Sequence, residues 1–328
     1  MEDSTVVKLF TKLDEGIEKI KDHDTLYLDA LADSLHYIHL EEAVTEEVKK
    51  NENMFKQIRK SFLAKINDRQ AVHRAIQMAL LKGMKDEVQS NHRMTPESIA
   101  LFISYLIQKL YPNKEKLSLL NLASGTGNLL HTVLGQLEKD IDAYASEIDD
   151  TLIRISVMTA NLLEQEIEYF HQDCLRPLFV DPVDIVISDL PVGYYPDEER
   201  AKEFELKAEE GMSYSHHLFI EQALTYTKKG GYVICLIPEF LFTSDQADIL
   251  QKFLHEKAHI IGLFQLADST FKAKEHKKSI FIFRKKGEAT KNVKQPLLVM
   301  LPSLKNTVAM EDILVQINGW FEEEKERL

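Results

Sequence analysis

The run Leu119-Leu120-Asn121-Leu122-Ala123-Ser124-Gly125-Thr126-Gly127-Asn128-Leu129-Leu130 decides the predicted fold. An apolar segment leads into two glycines one residue apart, and a helix-compatible segment begins at Asn128, which predicts a strand, a tight turn and a helix N-terminus. Glycine has no Cβ, so backbone N–H groups can approach a ligand closely and φ can become positive. The first turn of the helix adds unpaired N–H donors. This run is therefore predicted to be a nucleotide-binding turn.

A carboxylate follows the turn at a suitable distance. Glu147 ends the next predicted strand, where a carboxylate in nucleotide-binding folds holds the hydroxyls of a ribose. Leu130 occupies the position at which a dinucleotide fingerprint has a third glycine. An ordinary loop is thus the alternative interpretation of the turn taken alone.

The composition is that of an ordinary globular protein. The 328 residues are 44% hydrophobic and 28% charged, which is enough for one large core and a smaller partner domain. No apolar run approaches the roughly 20 residues that span a bilayer. The acidic start Met1-Glu2-Asp3-Ser4 lacks the pattern of a signal peptide. We therefore expect a cytoplasmic protein.

Cysteines and net charge narrow the range of partners. Cys174 and Cys235 have no CxxC spacing and no nearby histidine pair, so neither a metal site nor a disulfide is expected. The net charge of −13 argues against a broad basic surface for nucleic acid, because phosphate neutralisation is the main source of such affinity. The net charge does not exclude a basic surface on one part of the protein.

Residues 1–90 are predicted to form a helical domain. Apolar residues recur at three- and four-residue spacing, as in Val7, Phe10 and Leu13. This domain has two alternative roles. It could pack against a second copy to form a homodimer, or it could bind a substrate. Its second half is locally basic, which suits either a phosphate-facing surface or a solvated helix face. The basic residues are Lys56, Arg59, Lys60, Lys65, Arg69 and Arg74.

Residues 91–328 have a different pattern. Thr95 is suited to be an N-cap with Pro96 at the first helical position, which opens a helix over 96–110. After Leu117, strands alternate with helices, which predicts an α/β fold with a Rossmann-like, doubly wound parallel sheet. The last two strands have no helix-length pattern between them, so an antiparallel pair at one edge is expected. The predicted strands are 119–123, 143–147, 167–171, 184–188, 232–237, 260–266 and 279–283, with helices at 128–138, 150–164, 215–228 and 244–255.

Four polar residues fall at the carboxyl ends of the predicted strands. Asn121, Glu147, Asp173 and Asp189 each follow an apolar run. Ligands of open α/β sheets bind outside the carboxyl ends of the strands. The sequence therefore predicts a binding crevice at this edge.

The stretch Asp189-Leu190-Pro191-Val192-Gly193-Tyr194-Tyr195-Pro196 indicates the chemistry of that crevice. It combines a carboxylate at a strand end, a proline that fixes the local backbone, and aromatic rings just beyond. Such a place can hydrogen-bond and stack a flat, amide-like group.

Together these motifs resemble a known family. The segments Thr95-Pro96, Ala123-Ser124-Gly125-Thr126-Gly127 and Asp189-Leu190-Pro191, with Glu147 and Asp173, resemble the N6-adenine class of S-adenosylmethionine-dependent DNA methyltransferases. The resemblance is strongest to the branch that contains modification subunits of type I restriction systems and YtxK-type proteins of Gram-positive bacteria. It covers residues 90–287, so residues 91–328 are expected to be the methyltransferase domain.

The resemblance implies S-adenosyl-L-methionine as the cofactor and no metal. The turn at Gly125-Thr126-Gly127 would pass under the methionine part, with Asn121 near its amino group and Thr95-Pro96 at its carboxylate. Glu147 would hold the ribose hydroxyls. The other implied cofactor-binding residues are Ala123, Ser124 and Asn128 around the turn, Ile148 against the adenine, Asp173 at the adenine amino group, Cys174 beside it, and Asp189.

The resemblance also implies the catalytic residues. Asp189 and the carbonyl of Leu190 would accept from the target amine, while Pro191 holds the backbone and Tyr194 stacks on the base. Two motifs depart from the family pattern. Asn121-Leu122 stands where Asp-Pro is usual, and Leu190 and Val192 replace a proline and an aromatic of the catalytic motif, so that Tyr194 or Tyr195 must supply the stacking ring.

Three interpretations stay open. The first is methyl transfer to an exocyclic amine, most readily adenine in DNA. The second is a non-catalytic cofactor-binding or nucleic-acid-associated protein with the same fold. The third, a nicotinamide dehydrogenase, leaves Thr95-Pro96 and the Asp189 motif unexplained.

Any DNA binding is expected to be weak and indifferent to sequence. Beyond residue 287 only a short strand at 297–301 and an amphipathic helix with an acidic end are predicted, and neither is long enough to be a target-recognition domain. The basic run Lys272–Lys278 suits a phosphate contact or a solvated hairpin loop.

Overall fold

The computed structural model describes residues 2–22, 25–86, 94–270, 277–304 and 306–328. Most of the basic run at 272–278 lies outside these ranges, and only Lys277 and Lys278 of it are described. In the described ranges, no helix has both the length and the hydropathy needed to cross a bilayer.

The N-terminal segment folds into the predicted helices. Amphipathic spacing explains their formation, since Leu13 and Ile17 of one helix and Phe55 and Phe62 of another are fully buried in a common core. The helices are α1 (Glu2–Ile20), α2 (Tyr27–Leu40), α3 (Glu46–Lys50), α4 (Glu52–Leu63) and α5 (Arg69–Asp86).

The remainder of the chain is an α/β domain. Its described strands are β1 (Lys116–Asn121), β2 (Asp140–Glu147), β3 (Ile167–His171), β4 (Val183–Asp189), β5 (Thr227–Pro238), β6 (Ala258–Gln265), β7 (Lys278–Lys285) and β8 (Leu297–Met300). Its described helices are α6 (Glu97–Leu110), α7 (Asn128–Gln136), α8 (Asp150–Leu162), α9 (Glu198–Ala201), α10 (Ser215–Thr225), α11 (Ala247–Lys257) and α12 (Thr307–Glu324).

Within the described chain the strands form one sheet, in the order β3-β2-β1-β4-β5-β7-β6-β8. The strands β3, β2, β1, β4 and β5 are parallel, whereas β7 is antiparallel to both β5 and β6. Ile185 and Ile187 of β4 join one core and Val186 joins the other, so helices cover both faces of the sheet. The predicted doubly wound sheet with its antiparallel side is confirmed, and β8 adds one strand beyond the antiparallel pair.

The helical domain packs against the α/β domain through α8. Leu152 and Ile155 of α8 are buried in the core of the helical domain. At the same interface Arg154 pairs with Asp33, and Thr151 donates to Asp29. The helical domain therefore contacts the α/β domain on α8, the helix that follows β2.

Candidate active site at the carboxyl ends of the strands

The four predicted polar residues meet at one edge of the sheet. Asn121, Glu147 and Asp189 are the last residues of β1, β2 and β4, and Asp173 follows β3 by two residues. These four strands are adjacent and parallel. The predicted crevice edge is therefore present in the fold.

The glycine turn has the conformation that its sequence demands. Gly125 has φ +55° and Gly127 has φ +79°, in the left-handed region that favours glycine. A Cβ on Gly127 would lie 2.2 Å from Ser156 Oγ and 2.3 Å from His131 Nε2, whereas a Cβ on Gly125 would meet no atom within 4 Å. Gly127 is thus required by packing, and Gly125 leaves its backbone open to a ligand.

Glu147 braces this turn through backbone contacts. Its Oε2 accepts from the N–H of Gly125 at 2.7 Å, and its Oε1 accepts from the N–H groups of Ile148 and Asp149 at 2.9 and 3.0 Å. A carboxylate offers about four acceptor positions, so one remains on Oε2. Glu147 therefore combines a structural role with room for one further donor such as a ribose hydroxyl.

Unpaired polar atoms lie beside the turn. Asn121 is 1% exposed, and neither its Oδ1 nor its Nδ2 has a hydrogen-bond partner among the described residues. The Oγ of buried Ser124 is unpaired as well. Because a buried polar group without a partner is unfavourable by about 1–3 kcal/mol, this pair indicates a place that a polar ligand completes.

The predicted adenine end of the crevice is partly occupied by protein contacts. Asp173 accepts from the N–H of Leu175 at 2.9 Å and from the hydroxyl of Tyr195. Burial and this hydrogen bond raise the pKa of Tyr195, so the hydroxyl remains a donor. Ile148 is 65% exposed and available as an apolar wall, while Cys174 is buried and burial raises the pKa of its thiol.

Asp189 is held by two donors. Thr95 Oγ1 donates to its Oδ2 at 2.9 Å, and Lys278 Nζ donates to its Oδ1. The same Lys278 nitrogen lies 3.4 Å from the carbonyl oxygen of Leu190. The prediction that Thr95 is an N-cap is wrong, because α6 begins at Glu97 with Pro96 in the N-cap position, and the Thr95 hydroxyl is used by Asp189 instead.

An aromatic cluster lies next to Asp189. The ring of Tyr194 stacks on Tyr214 at 4.9 Å and 12°, and Tyr214 stacks on His216 at 4.9 Å. Tyr194 is 54% exposed, whereas Tyr195 is buried with its hydroxyl on Asp173. Of the two tyrosines predicted as stacking partners, Tyr194 is therefore the one with an accessible ring.

Two buried histidines complete the cluster. All four ring nitrogens of His216 and His217 lack hydrogen-bond partners in the described part of the chain. Burial lowers the pKa of His216 to about 3 and that of His217 to about 4, with neighbouring His217 and Lys278 adding to the shift at His216. Both rings are therefore neutral at physiological pH and act as packing surfaces beside the lysine.

A hydrogen-bond chain joins the helical domain to Asp189. Gln77 Nε2 donates to Asn128 Oδ1 at 2.8 Å, and Asn128 Nδ2 donates to the carbonyl of Thr95 at 2.7 Å. Thr95 then donates to Asp189. Asn128 thus links the two domains. The series of hydrogen bonds begins at Gln77 of α5 and ends at Asp189.

Sequence reasoning did not identify several residues of this site. Lys278 was visible only as part of a basic run, and Gln77 and Tyr214 carried no signal beyond helical spacing and aromatic character. The pair His216-His217 lies at the start of a predicted helix and was not assigned a role from sequence. Within the described residues, no group of three or more His, Cys, Asp or Glu side chains could hold a metal ion.

The sheet order and the glycine turn define the α/β fold of class I methyltransferases, and comparison with known proteins specifies the family. Residues 83–324 match the N-6 DNA methylase family, and residues 7–84 match the YtxK N-terminal helical domain. The chain belongs to the N-6 DNA methylase family.

Individual relatives agree. The chain is 46% identical over 331 residues to an uncharacterized protein YtxK of Bacillus subtilis strain 168, with 99% of this chain and 100% of that protein covered. It is 38% identical to a Listeria monocytogenes structure described as a candidate class I S-adenosylmethionine-dependent methyltransferase, with TM-score 0.89 over 97% and 99% of the two chains. The predicted family and fold class are thereby confirmed.

A more distant structure shares the fold alone. It is a type I restriction-modification methyltransferase subunit of Streptococcus thermophilus, 15% identical, with TM-score 0.63 over 97% of this chain and 77% of that one.

Proposed function

We propose that the protein transfers a methyl group from S-adenosylmethionine to an exocyclic amine, with the N6 amine of adenine in DNA as the acceptor that the family favours. One observation carries the catalytic part of the proposal. Asp189 Oδ1 and the Leu190 carbonyl oxygen converge on a single nitrogen, that of Lys278. Two acceptors that hold one amine nitrogen in this way are what a target amine needs.

The turn and its surroundings fit the cofactor. The unpaired amide of buried Asn121 can accept from an ammonium group and donate to a carboxylate, and both groups belong to the methionine part of S-adenosylmethionine. Gly125 keeps its backbone open, and Glu147 keeps one acceptor position for a ribose hydroxyl. Bound there, the cofactor supplies an electrophilic methyl group on a sulfonium.

The chain's own residues position the acceptor. Asp189 and the Leu190 carbonyl would accept the N–H bonds of the target amine, which directs the nitrogen lone pair along the line of attack. The cofactor would supply the methyl group and leave as the thioether S-adenosylhomocysteine, and Asp189 or water would take the proton that the amine nitrogen loses. Positioning of this kind is the main catalytic contribution in a simple group transfer.

Nucleic acid binding is proposed to be weak and indifferent to sequence. The net charge is −13, so affinity would depend on a few local cations. The exposed ring of Tyr194, stacked on Tyr214, offers a surface on which an unpaired base can stack.

A second candidate function is cofactor binding without methyl transfer. The ion pair between Asp189 and Lys278 favours this alternative, because the carboxylate already has a cationic partner. Both proposals require that the protein bind S-adenosylmethionine.

Cofactor binding is tested by calorimetry with Asn121→Leu. Leucine has the same branched shape and number of side-chain heavy atoms but no polar atoms, so affinity for S-adenosylmethionine should fall by about tenfold or more, and urea unfolding checks that the bulkier side chain still packs. The matched control is Thr132→Val, which removes another buried, unpaired oxygen, this one on α7.

The control should keep wild-type affinity. If wild type gives no heat with the cofactor at high concentration, or Asn121→Leu binds as well as wild type, this assignment of the crevice is wrong. NAD in the same titration distinguishes the dehydrogenase alternative.

A further inference from the structure

We infer that the ammonium of Lys278 occupies the position of the target amine, so that an acceptor must displace Lys278 to bind. This inference rests on the proposed function. Lys278 Nζ donates to Asp189 Oδ1 and lies 3.4 Å from the Leu190 carbonyl oxygen. These are the two acceptors that the proposed reaction assigns to the substrate.

The fold delivers Lys278 to this place. Lys278 is the first residue of β7 and lies opposite Pro238, the last residue of β5. Since β7 is antiparallel to β5, its first residue lies at the edge where β4 and β5 end. A lysine at this register position therefore reaches Asp189 directly from the sheet.

The contact is shielded from solvent. The side chain of Lys278 is 23% exposed and that of Asp189 is 20% exposed. A pair with this burial is screened by water and salt less than a surface pair. Thr95 occupies the other oxygen of Asp189, so both oxygens have a donor before any substrate arrives.

Lys278 acts here as a competitor for the site and does not itself accept a methyl group. An ammonium has no lone pair with which to attack a sulfonium methyl. His216 beside it is neutral, because burial lowers its pKa to about 3, so it does not drive the lysine away by repulsion.

The consequence is selectivity. An amine can hydrogen-bond to Asp189 and the Leu190 carbonyl only after Lys278 has left. Its other contacts with the protein must therefore contribute more binding free energy than the Lys278–Asp189 contact loses. A base held by stacking on Tyr194 and by neighbouring phosphates can meet that condition, whereas a small free amine cannot. Lys278 is thus a specificity-determining residue of the proposed reaction.

The experiment compares wild type with Lys278→Met, which keeps an unbranched side chain only one atom shorter and removes the donors. Protein saturated with S-adenosylhomocysteine is titrated with fluorescent oligodeoxyadenylate and oligodeoxythymidylate of equal length. The ratio of the two affinities separates recognition of the base from attraction to the backbone. In Lys278→Met the preference for oligodeoxyadenylate should rise by about tenfold.

Lys277→Met is the matched control. Lys277 is the neighbouring lysine, and its Nζ pairs with Asp268 at 2.6 Å outside the crevice. This variant should keep the wild-type ratio. Lys278→Gln serves as a second neutral variant if Lys278→Met does not fold, as judged by binding of S-adenosylhomocysteine.

Three results would contradict the inference. An equal loss of affinity for both oligonucleotides would make Lys278 a backbone contact. Unchanged affinities for both oligonucleotides in a variant that binds cofactor would show that Lys278 does not compete with the base. Mass spectrometry of wild type incubated with S-adenosylmethionine should show Lys278 unmodified, and a methylated Lys278 would make it an acceptor. Absence of cofactor binding in wild type would contradict the proposed function itself, and this result is distinct from the three above.

Discussion

The half of the crevice proposed to bind the cofactor and the half proposed to bind the acceptor differ in how their polar groups are paired. On the cofactor side, Asn121 and Ser124 are buried with unpaired polar atoms, and Gly125 leaves open space. On the acceptor side, both oxygens of Asp189 are already paired, one with Thr95 and one with Lys278. On the proposed assignment, the cofactor would bind without breaking an existing side-chain contact, whereas the acceptor would bind by displacing Lys278.

The largest effect is expected from Asp189→Ala, which tests whether the two halves are separable. Loss of a positioned acceptor should lower methyl transfer to DNA by about two to four orders of magnitude. Affinity for S-adenosylmethionine should change little, since the glycine turn and Glu147 are untouched. Transfer of labelled methyl groups, with calorimetry alongside, measures both quantities.

The control for that variant is Asp268→Ala. It breaks another lysine–carboxylate pair, between Asp268 and Lys277, in which the Asp268 side chain is 73% exposed, and should leave transfer unchanged. Full activity in Asp189→Ala would remove this residue from the mechanism. Absence of transfer in wild type would favour the cofactor-binding alternative.

The two glycines of the turn give a second, smaller contrast. Gly127→Ala combines a left-handed φ with a close approach to His131 and Ser156, and should lower the free energy of unfolding by about 2–4 kcal/mol. Gly125→Ala adds a methyl group into open space and should lower it by only about 1 kcal/mol, from the left-handed φ.

Urea unfolding and cofactor calorimetry distinguish the two variants. Gly125→Ala should keep most of its stability and still lose cofactor affinity, because its methyl group points into the space left for the ligand. Equal destabilisation by both substitutions would mean that Gly125 is as tightly packed as Gly127. Unchanged affinity in Gly125→Ala would place the cofactor elsewhere.

The positions of the strand-end residues could be predicted from sequence, and the contacts around Asp189 only in part. Strand ends and a glycine turn are local patterns, and parallel topology then places Asn121, Glu147 and Asp189 at one edge. Lys278 lies 89 residues from Asp189, and Gln77 lies 51 residues from Asn128. No local pattern predicts such pairs, because they depend on which strand is antiparallel and on how two domains dock.

Thr95 shows how a local signal can mislead. Its sequence context favours an N-cap, and the hydroxyl that would have capped α6 is used by Asp189. Tertiary hydrogen bonding outweighed a helix-capping preference of about 1 kcal/mol. The roles assigned to individual site residues remain predictions, and the variants above are their tests.

A smaller effect than that of Gly127→Ala concerns the opposite end of β4, where a second carboxylate, Asp184, contributes to stability. Asp184 accepts from Lys114 Nζ at 2.6 Å and from the N–H and hydroxyl of Ser118, both at 2.9 Å. Burial acts to raise the pKa of Asp184, but these hydrogen bonds outweigh it and lower the pKa to about 2.

A folded-state pKa below the unfolded one means that the contribution of Asp184 is present above about pH 4 and is lost as the pH falls toward 2. Asp184→Asn should therefore be less stable than wild type by about 1–2 kcal/mol near neutral pH, and the difference should shrink as the pH approaches the folded-state pKa. Urea midpoints of both proteins across this range measure it, with cofactor affinity expected to be unchanged. A stability difference that does not vary with pH would show that the carboxylate charge is not its source, and a loss of cofactor affinity would show that the two ends of β4 are coupled.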